Sequence, residues 1–216
     1  YDNADVGEDY YTVSYTKEGK STPPSQVQNP GNYAVTLTGK GTYIGEVDIN
    51  EVFVIMPSSA YATTLFAAGS TNQWMTWCGT EELVTPENVE VYTISGIDNS
   101  SVALEDITGS ATFGNQEMNV IPAYTPVLIY RAEGNGALVG MFNAEGEGTP
   151  GIQTAEGTGC TFYGTTTALS TIPSDNYTAG QSYVLRSGNF VLIDENNGIP
   201  ANKCWLTLND TSAPLI

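Results

Sequence analysis

The sequence has no histidine, and nearly all of its charge has one sign. Twenty-four acidic residues stand against six lysines and arginines, for a formal net charge of −18 at pH 7. Without histidine, neither a Ser–His–Asp nor a Cys–His catalytic arrangement can form within the chain. An acidic surface repels phosphate backbones and anionic lipid headgroups, so we expect no nucleic-acid partner.

Cysteines and long apolar runs are also scarce. Cys78, Cys160 and Cys204 are an odd number, so at most one disulfide can form within the chain. Their apolar and aromatic neighbours predict buried free thiols, and three cysteines without histidine are a poor zinc set. No run of about 18 apolar residues occurs, so we expect no direct membrane insertion. We predict no metal site and no cofactor.

What the chain does contain is strand-like sequence, bounded by Gly, Pro, Asn and Asp. The runs are YYTVSYT, NYAVTLTG, EVFVIM, VEVYTIS, SVALEDI, TPVLIYR, ALVGMF, QSYVLRS, NFVLID and CWLTLN. The one helical candidate, AYATTLFAAG at residues 60–69, is short and carries two threonines. The pattern predicts an all-β fold.

A proline–serine step marks a boundary after a strand, at Met56-Pro57-Ser58-Ser59. It divides the chain into two β modules, residues 1–56 and residues 57–216. We expect the larger module to fold independently of the smaller. The opening YDNADVGEDYY has no signal-peptide pattern and is typical of internal sequence, so we expect a longer exported protein.

The first module carries DYYTVSYTKEGK, followed by NPGNYAVTLTGKGTYIGEVDINEVFVI. These stretches resemble a repeat of bacterial surface proteins of the form DYTVSY…GTYTVTVTGKGNYTG, matched by residues 9–15, 31–35, 38–41, Tyr43 and Gly45. The resemblance implies a small Ig-like or grasp-like β module used as a spacer or adhesion stalk. The opening strand of that repeat is missing here, so we expect an exposed sheet edge in this module.

The second module contains two similar segments, which we call the twin phrases: IPAYTPVLIY from Ile121 and IPANKCWLTL from Ile199. A hairpin-like stretch precedes each phrase. Proline fixes φ, keeps the preceding residue extended and lacks an N–H, so it suits the start of a strand. We interpret the twin phrases as corners at which the chain enters equivalent strands, within an antiparallel sandwich or barrel-like domain.

The second module also resembles a recurrent C-terminal domain of exported Bacteroidetes surface proteins. The motifs that carry this resemblance are WMTWC, VYTISG and both IPA phrases. The resemblance covers most of residues 70–208. It implies an extracellular or outer-membrane surface location, and it supplies no catalytic residues.

Paired carboxylates are the remaining acid–base candidates: Glu81-Glu82, Glu105-Asp106 and Asp194-Glu195. Glycoside hydrolysis needs two carboxylates facing each other across a sugar. Neighbours in a strand point to opposite faces, so no doublet makes that pair by itself. DENNG, residues 194–198, begins like a calcium loop but lacks its later ligands, and a turn explains the same residues.

Aromatic residues are the best sign of a ligand, because flat rings bind the apolar faces of sugars. In an extended WMTW, Trp74 and Thr76 share one face, and Met75 and Trp77 share the other. We predict that Trp77 is buried and that Trp74 lies nearer the surface as a candidate ligand-binding residue.

The sequence therefore favours a non-enzymatic stalk, spacer or adhesion module whose partners are neighbouring β modules. Binding of a host or dietary glycan is the alternative, and a glycoside hydrolase role is a more distant one.

Overall fold

The computed structural model describes residues 10–17, 20–23, 27–41, 45–85, 89–132 and 137–209. These residues form antiparallel sheets, with short 3-10 turns at Ser59–Tyr61 and Ser174–Asn176. The all-β class predicted from the sequence is confirmed. Within these ranges, no helix has the length and apolar character needed to cross a membrane.

Contacts between Cα atoms divide the chain into two units. One comprises Tyr1–Pro57 with Thr112–Gln116, and the other comprises Ser58–Ala111 with Glu117–Ile216. Whether the larger part folds independently stays a prediction.

The smaller unit contains one four-stranded antiparallel sheet of order β2-β1-β3-β4. Its strands are β1 (Tyr11–Lys17), β2 (Lys20–Thr22), β3 (Gly31–Gly39) and β4 (Glu46–Ile55). Tyr33 is fully buried and stacks on Phe53 with the ring centroids 5.2 Å apart. The other apolar residues of β3 are only half-buried. Asp9 and Tyr43, which carry part of the surface-repeat resemblance, lie outside the described residues.

The larger unit is built from three antiparallel sheets, which we call sheets I, II and III. Only Thr112–Gln116, at the tip of one hairpin of sheet I, are assigned to the smaller unit. Sheet I has the order β10-β11-β7-β13-β5, sheet II β6-β12-β8-β9, and sheet III β14-β15-β18-β16-β17. The strands are β5 (Ala62–Phe66), β6 (Trp74–Trp77), β7 (Glu81–Thr85), β8 (Glu90–Asp98), β9 (Ser101–Asp106), β10 (Gly109–Phe113), β11 (Gln116–Ile121), β12 (Val127–Tyr130), β13 (Leu138–Glu145), β14 (Ile152–Gly157), β15 (Cys160–Thr165), β16 (Ser182–Arg186), β17 (Asn189–Leu192) and β18 (Lys203–Leu208).

The internal strand β12 of sheet II is buried on both faces. Val127 and Ile129 pack into one apolar cluster with Leu83 of sheet I, whereas Leu128 packs into a second cluster with Phe162 of sheet III. Successive residues of a strand point to opposite faces, so a continuous apolar run such as VLI suits a strand covered on both sides. The larger unit is therefore a three-layer β-sandwich with sheet II in the middle.

Sheets II and III contain the same four-stranded motif. The motif has the order β6-β12-β8-β9 in sheet II and the order β15-β18-β16-β17 in sheet III. The strands at the same position in the two orders are equivalent, so β12 corresponds to β18. The strands β12 and β18, which form the second part of each twin phrase, are internal strands of the two motifs. The repeat in the sequence thus corresponds to a repeat in topology.

Each twin phrase forms a corner before its strand. Tyr124 and Asn202, the residues after Ile-Pro-Ala, have positive φ angles of 50° and 61°. The N–H of Tyr124 donates to Gly79 O at 2.7 Å, and that of Asn202 donates to Thr165 O at 2.8 Å. Thr165 is the last residue of β15, and Gly79 follows the end of β6, so each corner is bonded at the end of the neighbouring strand of its motif. The predicted strand-entry corners are confirmed.

The two motifs differ in the segment that connects the hairpin to the Ile-Pro-Ala corner. After the β8–β9 hairpin, the chain forms a further hairpin, β10–β11, before the first corner, whereas β17 leads to the second corner through a loop. The strands β10 and β11 are not among those predicted from the sequence. The helical candidate 60–69 is also not a helix: the Ser58 hydroxyl accepts from the Ala60 N–H in a single 3-10 turn, and β5 follows.

Sheets II and III approach closely at Gly164 of β15. A Cβ atom on Gly164 would lie 2.5 Å from Cys78 Cβ and 2.7 Å from Cys78 Sγ. Nearby, the Cys204 N–H donates to Thr76 Oγ1 at 3.2 Å, and the Cys204 thiol donates to Trp77 O at 3.1 Å. Only small side chains fit between the two sheets here.

We expect Gly164→Ala to destabilise the protein by about 1–3 kcal/mol, because the added methyl overlaps a buried side chain. Denaturant unfolding of the full chain measures the loss. In a Cys78→Gly background the overlap is relieved, so the same substitution should cost less. An equal loss in both backgrounds would show that this contact does not limit the spacing of the sheets.

Asn202→Val should cost about 1–2 kcal/mol, because a β-branched residue tolerates the left-handed conformation poorly. Asn202→Gly should leave the unfolding free energy nearly unchanged, since glycine adopts this conformation readily. Asn189→Val, at an exposed strand position, is the matched control and should cost little. Equal effects of valine at residues 202 and 189 would contradict the proposed corner geometry.

Candidate functional site

Trp74 lies in a cluster of three half-buried aromatic rings. Its ring centroid is 4.5 Å from that of Tyr130 and 5.8 Å from that of Tyr92. Trp77 is only 7% exposed and packs in the opposite cluster with Met75. The predicted burial of the two tryptophans is confirmed. A ligand-binding role for Trp74 stays a prediction.

The Tyr92 hydroxyl in this cluster already has an acidic partner. It donates a hydrogen bond to the Glu90 carboxylate. That bond, with a smaller contribution from desolvation, raises the pKa of Tyr92 to about 12. The phenol therefore stays protonated at neutral pH and helps to fix the ring beside Trp74.

The carboxylate doublets do not face each other across a cleft. Glu81 is exposed and lies opposite Glu145 on the neighbouring strand of sheet I, and Glu82 accepts a hydrogen bond from Asn143 Nδ2. Glu105 and Asp106 are exposed on β9. The sequence analysis missed Glu145 because only the register of β7 and β13 brings it beside Glu81.

The third doublet belongs to a tight turn. Asp194 Oδ1 accepts hydrogen bonds from the backbone N–H and the side-chain amide of Asn196, and these bonds lower the pKa of Asp194. The Asp194 N–H donates to Asn197 Oδ1 at 2.9 Å. The DENNG residues thus act as turn residues. Within the described ranges, no three His, Cys, Asp or Glu side chains converge as metal ligands.

The three cysteines are buried free thiols, as predicted. Desolvation raises the pKa of Cys78 to about 12 and, with a smaller contribution from Glu156, that of Cys160 to about 11. Burial and, to a lesser extent, Cys78 raise the pKa of Cys204 well above its ordinary value. Since the thiolate is the nucleophile, we expect these side chains to react slowly in the folded protein.

A cavity of about 360 Å³ lies beside sheet III, between the end of β16 and the start of β18. Buried residues Thr76, Ile193, Ile199 and Cys204 form part of its lining. Arg186 and Lys203 also line it, and none of its described lining residues is acidic. A cavity with two cationic residues is unusual in a chain with so few bases.

A second cavity, of about 390 Å³, lies along sheet I. Its lining includes Tyr61, Glu81 and Phe142. Tyr61 is 75% exposed, the largest exposure among the large apolar side chains that the structure leaves at the surface. An exposed ring beside a carboxylate is a surface on which a sugar could stack and form hydrogen bonds.

Sequence reasoning missed both cavities. Arg186 and Lys203 are far apart in the sequence, and Tyr61 is an isolated tyrosine in a stretch considered for a helix. The antiparallel pairing of β16 with β18 is what brings the two cations to the same cavity.

Comparisons with known protein families, with curated proteins and with solved structures find no match to this chain.

We expect Cys78 and Cys160 to react with a thiol reagent at pH 8 at least about 100-fold more slowly in the folded protein than in denaturant, because burial raises the pKa of these thiols to about 12 and about 11 and little thiolate forms. Cys204 is buried as well and should also react slowly. A colorimetric disulfide reagent follows the reaction. Ser101→Cys, which adds a thiol at an exposed position, should react at once and serves as the control. Rapid reaction of any native thiol in the folded chain would contradict the burial described here.

Proposed function

We propose that this chain is a non-catalytic module of an exported bacterial surface protein, serving as a stalk, spacer or adhesion domain at the extracellular or outer-membrane surface. The observation that carries the proposal is the burial of β12, an internal strand of sheet II, in apolar clusters on both faces. Two apolar interfaces and continuous antiparallel hydrogen bonding suit a domain that must stay folded and hold its shape. The resemblance of its sequence to bacterial surface repeats and C-terminal domains supports the location.

The charge distribution fits the same role. Acidic side chains, such as those of β9, are exposed at the surface of a chain with a net charge of −18. Dispersed negative charge keeps a protein from associating nonspecifically and from binding nucleic acid. Neighbouring β modules of the same protein are the partners that we propose.

Glycan recognition is the second candidate, because the surface offers aromatic rings in two places. Trp74 is half-buried with Tyr92 and Tyr130, and Tyr61 is largely exposed in the cavity along sheet I. Hydrolysis of a glycan is the more distant alternative. It would need two carboxylates on opposite sides of the bound sugar, and Glu81 with Glu145 lie instead side by side on adjacent strands.

A glycan array and an assay with chromogenic glycosides separate these functions. A stalk or spacer should give no reproducible array signal and no turnover. Glycan binding that Trp74→Ala abolishes, with the unfolding curve retained, would replace the spacer proposal by sugar recognition at the Trp74 cluster. Loss with Tyr61→Ala instead would assign recognition to the cavity along sheet I. Turnover that is lost in Glu81→Gln would support the hydrolase alternative.

A further inference from the structure

Two of the six basic residues of the chain line one cavity. These are Arg186 at the end of β16 and Lys203 at the start of β18. The remaining bases are three lysines in the first 40 residues and Arg131, which lies over the Phe66 ring. None of the described residues that line this cavity is acidic.

The strand register explains why the two cations meet. β16 and β18 are antiparallel, and the pairing Val184↔Trp205 is the last of their ladder. Carried two residues further, the same register aligns Arg186 with Lys203. The ladder stops short of this pair because the Cys204 N–H bonds Thr76 Oγ1 of sheet II. The cavity lies where the two strands no longer pair.

Like charges that line the same cavity repel each other, and an anion between them removes the repulsion. Lys203 is half-buried, and its ammonium donates one hydrogen bond, to Thr76 O at 3.4 Å. Burial removes water from the Lys203 ammonium and lowers its pKa. Arg186 is exposed at the rim and forms no ion pair with any described residue. Both side chains thus have donors to spare.

Asp194 and Glu195, the acidic residues between the two cations in the sequence, do not line the cavity. Asp194 and Glu195 belong to the loop that contributes Ile193 and Asn197 to the cavity. The Asp194 carboxylate is occupied by the two hydrogen bonds from Asn196, and neither acidic residue is among those that line the cavity. The cations therefore have no carboxylate of the described chain as a counterion.

We propose that this cavity binds a small organic anion, with its carboxylate or sulfate group between Arg186 and Lys203 and its body against Ile193 and Ile199. A guanidinium and an ammonium that converge on one oxyanion form charge-assisted hydrogen bonds, which are stronger than neutral ones. The volume of about 360 Å³ lies at the lower end of the range for small-molecule sites and fits a ligand of monosaccharide size. The proposal holds whether or not the chain is a surface module.

Titration calorimetry and amide chemical shifts test the site on the full chain. The probes are sodium glucuronate, glucose 6-sulfate, inorganic sulfate and the neutral methyl glucoside. We expect glucuronate or glucose 6-sulfate to bind and to shift the amides of Gly198 and Lys203, whereas the neutral glucoside should not bind. Comparison of the two acidic sugars distinguishes carboxylate from sulfate, and inorganic sulfate shows how much of the affinity comes from the charge alone.

Arg186→Gln and Lys203→Met should each weaken binding of the acidic sugar by about tenfold or more, because each removes a charge-assisted hydrogen bond. Lys20→Gln, an equal charge change at an exposed position of the smaller unit, should leave the affinity within about twofold. Lys203→Met retains the apolar stem beside Cys204, and its unfolding curve checks the fold.

Three results would overturn the proposal. The first is no binding of either acidic sugar up to about 10 mM, where even weak sites of millimolar affinity are occupied. The second is equal binding of the neutral glucoside. The third is an unchanged affinity in Arg186→Gln. Because Arg186 is exposed at the rim, we expect this substitution to leave the fold intact, so its effect on affinity reports on binding.

Discussion

The close approach of sheets II and III is the constraint on which the larger unit depends. Gly164 has no space for a methyl group beside Cys78, and Cys204 bonds two residues of β6 through its N–H and its thiol. At another place, Thr158 exchanges backbone hydrogen bonds with β8 on either side of Gly96. Backbones that come this close need small residues, and their polar groups then satisfy each other across the layers.

The four-stranded motif of sheets II and III is covered on its outer face by a different kind of structure in each sheet. Sheet II has sheet I on its outer face, and the inserted β10–β11 hairpin is part of that cover. On sheet III, Trp205 and Tyr163 are instead covered by residues of long connections, among them Ile172, Ile193 and Ile199. A strand motif with two apolar faces can thus be completed by another sheet or by loops, provided that the apolar surface is removed from water.

Local chemistry made part of this architecture predictable. Pro122 and Pro200 mark the corners from the sequence alone because proline restricts its own backbone and that of its predecessor. The alternation in WMTW similarly assigned Trp77 to the core. The β10–β11 hairpin escaped prediction because its strands are short and mostly polar at the surface, as in Gln116 and Glu117. The cavity with Arg186 and Lys203 depends on register and on a ladder that ends early, which no local pattern encodes.

The contrast between the cationic cavity and the acidic chain affects how quickly an anion can enter. At low ionic strength, a net charge of −18 repels the anion over distances much larger than the cavity, which slows its association. Near 0.1 M salt the screening length falls to about 10 Å, so an anion at the rim is governed mainly by the nearby Arg186 and Lys203. Moderate salt should therefore accelerate entry while it weakens the bound complex, a kinetic behaviour opposite to that of electrostatically steered binding.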